Sequence, residues 1–178
     1  MKKGFTLIEI LISIGILATV GTLVAQVLYT TTHVNTKSNL IQDLKQNGEY
    51  ALGVMERSIR GATDIVNYCD ISATSTTSAV IVDANDHAIQ YTCVSDGTAA
   101  RVASVSSSGT QYLTGGNVTL SASGGSACGD STLVFTCPNK SGISVPITIN
   151  FTLTQLGATT SAYTSAQDSF QTTVSLRK

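Results

Sequence analysis

The sequence predicts an α+β chain: one long N-terminal helix, membrane-spanning in its first half and amphipathic in its second, packed on an antiparallel β-sheet head. Three observations carry that expectation. From Phe5 to Leu28 the chain is apolar for 24 residues, and no formally charged side chain occurs from Ile10 to His33. From Leu40 to Ala62 apolar residues recur at spacings of three, four and seven. Beyond Ala62 the pattern changes to short alternating runs bounded by Ser, Gly, Asn and Asp, the habit of strands.

A helix over the first run, at about 1.5 Å per residue, is long enough to cross a bilayer core with some tilt. Lys2 and Lys3 precede it and no Lys or Arg follows until Lys37, an asymmetry that holds the lysines in the cytoplasm and sends the rest outward. The run is too long for the apolar core of a cleaved secretory peptide, about 7–15 residues, and too uncharged for a core helix of a soluble domain. A plain membrane anchor fits the length but leaves Glu9 unexplained. A carboxylate in an apolar span costs about 2.5–3.5 kcal/mol on insertion scales, so Glu9 is a functional candidate whose partner has to be named.

The order Lys3-Gly4-Phe5-Thr6-Leu7-Ile8-Glu9 followed by about twenty apolar residues resembles the signal of type IV prepilins and pseudopilins. The resemblance implies cleavage after Gly4 by a membrane prepilin peptidase, and N-methylation of the new terminus, Phe5, by the same enzyme. Glycine at the scissile position lets the bond approach a buried catalytic pair closely. Glu9 would pair with the Phe5 amine of a neighbouring subunit, two buried charges neutralising each other. Before docking, Glu9 sits in the first turns of the mature helix, where free N–H groups and the dipole soften its cost.

The second half of the helix carries Leu40, Leu44, Ala51, Met55, Ile59 and Ala62 as one stripe, widened by Ile41, Leu52 and Val54. Glu56 and Arg60 form an i, i+4 pair in the favourable order. Gly48 and Gly53 each cost about 0.5–1 kcal/mol against alanine, which suggests close packing or tolerated bending. One helix is expected from Phe5 to about Thr63. Leu44-x-x-Asn47-Gly48 followed by Arg57-x-x-Arg60, with Ser169–Arg177 as a closing strand, is similar to PilW-like minor pilins and J-type pseudopilins. Many major pilins have a proline in the membrane helix; this chain has only Gly15 and Gly21 there.

Strands are expected at Ala79–Asp83, Ala88–Val94, Ala100–Ser104, Val118–Ser121, Thr132–Cys137, Val145–Thr154 and Phe170–Leu176, forming an antiparallel sheet wrapped on the helix. Asp83-Ala84-Asn85-Asp86 and Ser95-Asp96-Gly97-Thr98 are turn chemistry. Pro138 and Pro146 fall near strand ends, where a lost N–H is tolerated. Ala73–Ser78, Ser104–Gly109 and Ala122–Gly129 read as mobile, exposed loops. The resulting division is a leader over 1–4, an assembly half of the helix over 5–28, its amphipathic half over 29–64, and a secreted head over 65–178.

Four cysteines, Cys69, Cys93, Cys128 and Cys137, all follow the helix. An even count in an exported region reads as two disulfides with three connectivities. Zinc usually takes CxxC pairs or clustered histidines, whereas the spacings here are 24, 35 and 9, and His33 and His87 stand apart. Cys128–Cys137 is the pair adjacent in sequence, which would leave Cys69–Cys93.

No catalytic set emerges, so the chain reads as a non-enzyme without cofactor or metal. Asp83-x-Asn85-Asp86 is an incomplete calcium loop, better read as a turn. Arg101, Lys140, Arg177 and Lys178 are the head cations, too few and scattered for nucleic-acid binding. The resemblance therefore implies a structural filament subunit, a minor pilin or pseudopilin of a type IV pilus or type II secretion pseudopilus, helping to initiate assembly near the tip. Glu9 argues against the outermost position. Its partners would be other pilins, the peptidase, the inner-membrane assembly platform and lipid, with the precursor in the inner membrane and its head outside. A major pilin, or a head displayed to bind DNA, a surface or another cell, are the alternatives.

Overall fold

A computed structural model describes residues 4–66, 75–137, 146–157 and 165–176. Helix α1 runs Leu7–Gly61, 55 residues, about 82 Å at the usual rise. It begins two residues later and ends two earlier than the apolar pattern implied. Thr6 has extended backbone and caps nothing with its side chain, and the exit at Ala62 is also extended. The Thr63 N–H then donates to the Val82 carbonyl at 2.8 Å, which turns the chain straight into the head.

Only the second half of α1 is packed. Leu44, Gly48, Ala51, Met55 and Ile59 are buried, one stripe at steps of four, three, four and four. Leu40 and Ile41 are half-covered where the head begins, and Ala62 closes the stripe.

The head holds two antiparallel sheets where the sequence suggested one. The first has the order β1 (Asp64–Val66), β3 (Ala79–Val82), β4 (Ala88–Ser95), β5 (Ala100–Ser106), β6 (Gly109–Tyr112). The second runs β10 (Gln167–Ser175), β9 (Pro146–Gln155), β8 (Val134–Thr136), β2 (Ser75–Thr76), with β7 (Val118–Thr119) paired on β9. Alternation explains which face each presents. On β9, Ile147, Ile149, Phe151 and Leu153 all point inward and are fully buried. The intervening Thr148 and Thr152 face out and bond to Thr173 and Ser169 of β10, both at 2.9 Å. Burying each large apolar side chain stabilises the fold by about 1.5–3 kcal/mol. The sheets are stitched by Leu120, whose N–H reaches the Ala100 carbonyl at 2.7 Å while its carbonyl accepts from Thr132 at 3.0 Å. Buried Thr119 joins them too, accepting from Ala100 N–H.

The expected loop at Ser104–Gly109 is instead a hairpin: β5 extends to Ser106, Gly109 takes the positive φ of 128° that the turn needs, and β6 returns. Within 73–78, Ser75–Thr76 forms β2 on β8. Ala122–Gly129 is not a free loop either. Asp130 Oδ2 accepts from Ser121 Oγ at 2.8 Å, Ser123 Oγ at 2.6 Å and Ser123 N–H at 3.1 Å. Those donors hold the Asp130 carboxyl down at about 2, led by the Ser123 hydroxyl. Pro146 opens β9 at the strand end, while Pro138, Lys140, Arg177 and Lys178 lie outside the described residues.

Cys93 is bonded to Cys128, fixing this same segment to β4 and overturning the Cys128–Cys137 and Cys69–Cys93 pairing. Nearness in sequence misled because β4 and the 121–131 segment meet through tertiary packing. Cys137 is disulfide-bonded and nearly buried, and Cys69 lies outside the described residues. Thiol blocking of the unreduced protein followed by peptide mapping should yield a Cys93–Cys128 crosslinked peptide. A Cys128–Cys137 peptide would contradict this arrangement. Replacing Cys93 and Cys128 by serine should cost about 3–4 kcal/mol, the entropy scale for closing a loop of 35 residues.

Candidate functional site: the exposed amino-terminal helix

The first half of α1 has no counterpart in the head to cover it. No residue of its most apolar window is buried, and Phe5, Leu7 and Leu17 are each 70% exposed or more. An apolar surface of this length needs lipid or other apolar helices around it. By length and composition α1 is the one helix among the described residues able to cross a membrane.

Polar side chains in this half are arranged to suit an apolar surrounding. Ser13 Oγ donates to the Glu9 carbonyl at 2.7 Å, Thr19 to Ile16, and Thr22 to Thr19. Thr30 and Thr31 do the same to Gln26 and Val27 at 2.9 and 2.8 Å. Each hydroxyl thus satisfies its donor within its own helix, which is what a medium without water requires. The run ends at Tyr29, whose ring meets His33 edge-on with centroids 4.4 Å apart. An aromatic at that height suits the membrane–water boundary.

Glu9 breaks the pattern. It lies in the first turn, its N–H donating to the Thr6 carbonyl at 3.1 Å. Its carboxylate forms no ion pair among the described residues, where the pairs are Arg60–Glu56, His87–Asp83 and Arg101–Asp96. Helix-end N–H groups left without intrahelical partners surround it with favourable partial charge. Gly4 and Phe5 precede the helix, Gly4 with no neighbour within 4 Å of the place a Cβ would occupy. Gly4, Phe5 and Glu9 therefore stand together on one accessible end of the molecule.

The Leu44-x-x-Asn47-Gly48 segment fastens this helix to its head, each residue differently. Leu44 enters the core. Asn47 Oδ1 accepts from the Gly115 N–H at 2.6 Å, while its amide donates to the Asp43 carbonyl. Gly48 lets the Phe170 ring of β10 lie against the helix backbone. Sequence reading flagged Gly48 for close packing but did not name Phe170; an Asn-Gly pair inside a helix, poor in propensity, was the available signal. Gly53 has no such neighbour. Arg57 folds its Nε onto the Gly53 carbonyl at 3.3 Å, and Arg60 pairs with Glu56 at 2.5 Å, both on the solvated side.

Asp83 is a turn former: its Oδ1 accepts the N–H groups of Asn85 and His87 at 2.8 and 2.9 Å. The His87 N–H leads in holding its carboxyl below the usual range. Asp96 is likewise held well down, first by the Thr98 hydroxyl, and pairs with Arg101, whose guanidinium lies over the Tyr112 ring. These carboxylates serve the head's own turns.

A family model described as the prokaryotic N-terminal methylation motif matches residues 1–25. No curated protein and no solved structure matches the chain.

Proposed function

We infer from the methylation motif at residues 1–25 that this chain is a type IV pilin-like filament subunit, and we read it as a minor pilin or pseudopilin of a type IV pilus or type II secretion pseudopilus. The observation that carries this is the uncovered helix half, apolar from end to end with one acid in its first turn, joined to a head whose own core is already closed. Such a head needs no further cover, whereas the helix does.

On this reading, residues 1–4 are a leader, 5–28 pass from bilayer to filament core, and 29–64 carry the head of 65–178. The lysines hold the leader inside and the head travels outside. Prepilin peptidase cuts after Gly4 and methylates Phe5; Glu9 receives that amine from an adjacent subunit. The role is structural, as a subunit near the start of the filament, with other pilins and the inner-membrane assembly platform as partners. The absence of proline from the membrane half leaves that segment a continuous helix.

Gly4→Val tests the leader. Among the described residues no atom beyond its chain neighbours lies within 4 Å of the place a Cβ at Gly4 would occupy, so valine leaves the described fold undisturbed while the peptidase meets the added methyls. Mass spectrometry of the membrane fraction should find the precursor uncut, at least tenfold depleted in mature Phe5 terminus, a loss of about 1.4 kcal/mol or more in transition-state fit. Normal cleavage and methylation would remove the leader assignment.

A further inference from the structure

Between its apolar half and the head, α1 has a bare neck whose charge is one-sided. The continuous apolar run closes at Tyr29, and the head takes hold of the helix only at Leu40 and Ile41. From Ile10 to Gln42 Lys37 is the one formally charged side chain, and it is exposed. Tyr29, His33 and Lys37 follow one another at steps of four, so they share one face of the helix. The Tyr29 ring meets the half-buried His33 edge-on. From Leu7 to Tyr29, His33 and Lys37 the axis rises by about 33, 39 and 45 Å. A bilayer measures about 30 Å across its hydrocarbon and about 40–45 Å with its headgroups.

We propose that His33 and Lys37 form a site for the phosphate of an anionic lipid in the leaflet on the head's side of the membrane, with Tyr29 as its floor. The proposal rests on the membrane-inserted precursor of the reading above and gives it a specific lipid contact. Three things select this occupant. The first is height: a span that starts near Leu7 leaves the hydrocarbon just below Tyr29 and brings His33 and Lys37 to the outer headgroup level. The second is direction. Side chains on a helix lean towards its N-terminus, here the membrane end, so Lys37 reaches back down its own face towards His33. The third is sign, since the nearest acid along the helix, Asp43, stands about 9 Å further from the membrane. Lys37 already interacts within the chain, and the three N–H donors of an ammonium leave others for a phosphate. His33 adds an imidazole N–H one turn below.

The test reconstitutes the full precursor in vesicles of phosphatidylcholine with a minor share of phosphatidylglycerol. Electron paramagnetic resonance then compares how spin-labelled forms of the two lipids associate with the chain. Wild type should prefer phosphatidylglycerol, and Lys37→Gln should lower that preference about fivefold, the scale of one cation beside an anionic surface. Lys37→Arg should keep it, and His33→Gln should lower it by a smaller factor. Lys45→Gln, about 12 Å further out along the axis, should leave it unchanged. Excess inorganic phosphate at constant ionic strength should not compete. The chain has no Trp, so Tyr29→Trp supplies a single fluorophore, to be quenched by lipids brominated near the head of the acyl chain. An unchanged preference in Lys37→Gln, an equal loss in Lys45→Gln, or displacement by inorganic phosphate overturns the site. If Tyr29→Trp is quenched while those results fail, the lipid site alone is wrong. If it is not quenched, the membrane span and the lipid site fall together.

Discussion

Glu9→Ala should leave a protein that is cleaved, methylated and abundant in the membrane yet scarcely recovered in sheared filaments. The inserted monomer loses a carboxylate that forms no ion pair among the described residues. Insertion is therefore unchanged or eased, by up to about 2.5–3.5 kcal/mol on insertion scales, less the relief already given by the helix end. Docking behaves oppositely. A neighbouring Phe5 amine entering the same apolar layer would be buried without its counter-charge, at a cost of about 3–5 kcal/mol. That is a loss of about two to four orders of magnitude in association, to be read as the ratio of filament to membrane protein on immunoblots. Glu9→Gln keeps the shape and removes the charge, and should fail similarly. Wild-type assembly of either variant would remove the acid from the mechanism.

Gly48→Ala should destabilise the head, against the helix propensity of the two residues. Alanine gains about 0.5–1 kcal/mol as a helix former. Its methyl, however, would overlap the Phe170 ring at Cζ, Cε1 and Cε2. That ring cannot retreat, because it is stacked on Phe151 at 5.4 Å and Phe151 is fully buried. Overpacking of this kind costs about 1–3 kcal/mol. A lowered thermal midpoint in detergent, by about 2–8 °C, is expected. In a Phe170→Ala background the clash disappears and Gly48→Ala should become neutral or stabilising. That reversal separates a steric notch from a general intolerance of substitution. An unchanged midpoint in the single variant would mean that β10 and α1 are not packed as described.

The long helix was legible because 3.6-residue periodicity and an uncharged run are local properties, and its buried stripe came out as Leu44, Ala51, Met55 and Ile59 in both readings. Strands with clear alternation, such as Ala88–Ser95 and Pro146–Gln155, were legible for the same reason. The Gly-Thr-Gln-Tyr strand was not, since its four residues are all exposed at a sheet edge and carry no alternation. Division into two sheets was hidden because alternation says which way side chains point, not which strand lies alongside. The cysteine pairing failed likewise. Cys93 and Cys128 are 35 residues apart and meet only once both sheets are in place. For the candidate site, the residue types Gly4, Phe5 and Glu9 could be read directly. The bare condition of the helix around them was legible as well, from an uncharged run long enough to cross a bilayer; the hydrogen bonds its hydroxyls make were not, because they depend on side-chain conformation.

The hydroxyls of Ser13, Thr19, Thr22, Thr30 and Thr31 each carry their acceptor with them, on the preceding turn. At these five positions the helix asks nothing polar of its surroundings, so there acyl chains and the sides of other helices are nearly equivalent hosts. Exchange between the two requires no hydrogen bond to be broken along most of the segment. The free-energy difference between stored and assembled subunit is then concentrated at the few groups that do discriminate, foremost the carboxylate in the first turn. On the filament reading, a small bias at those groups is enough to drive such a transfer.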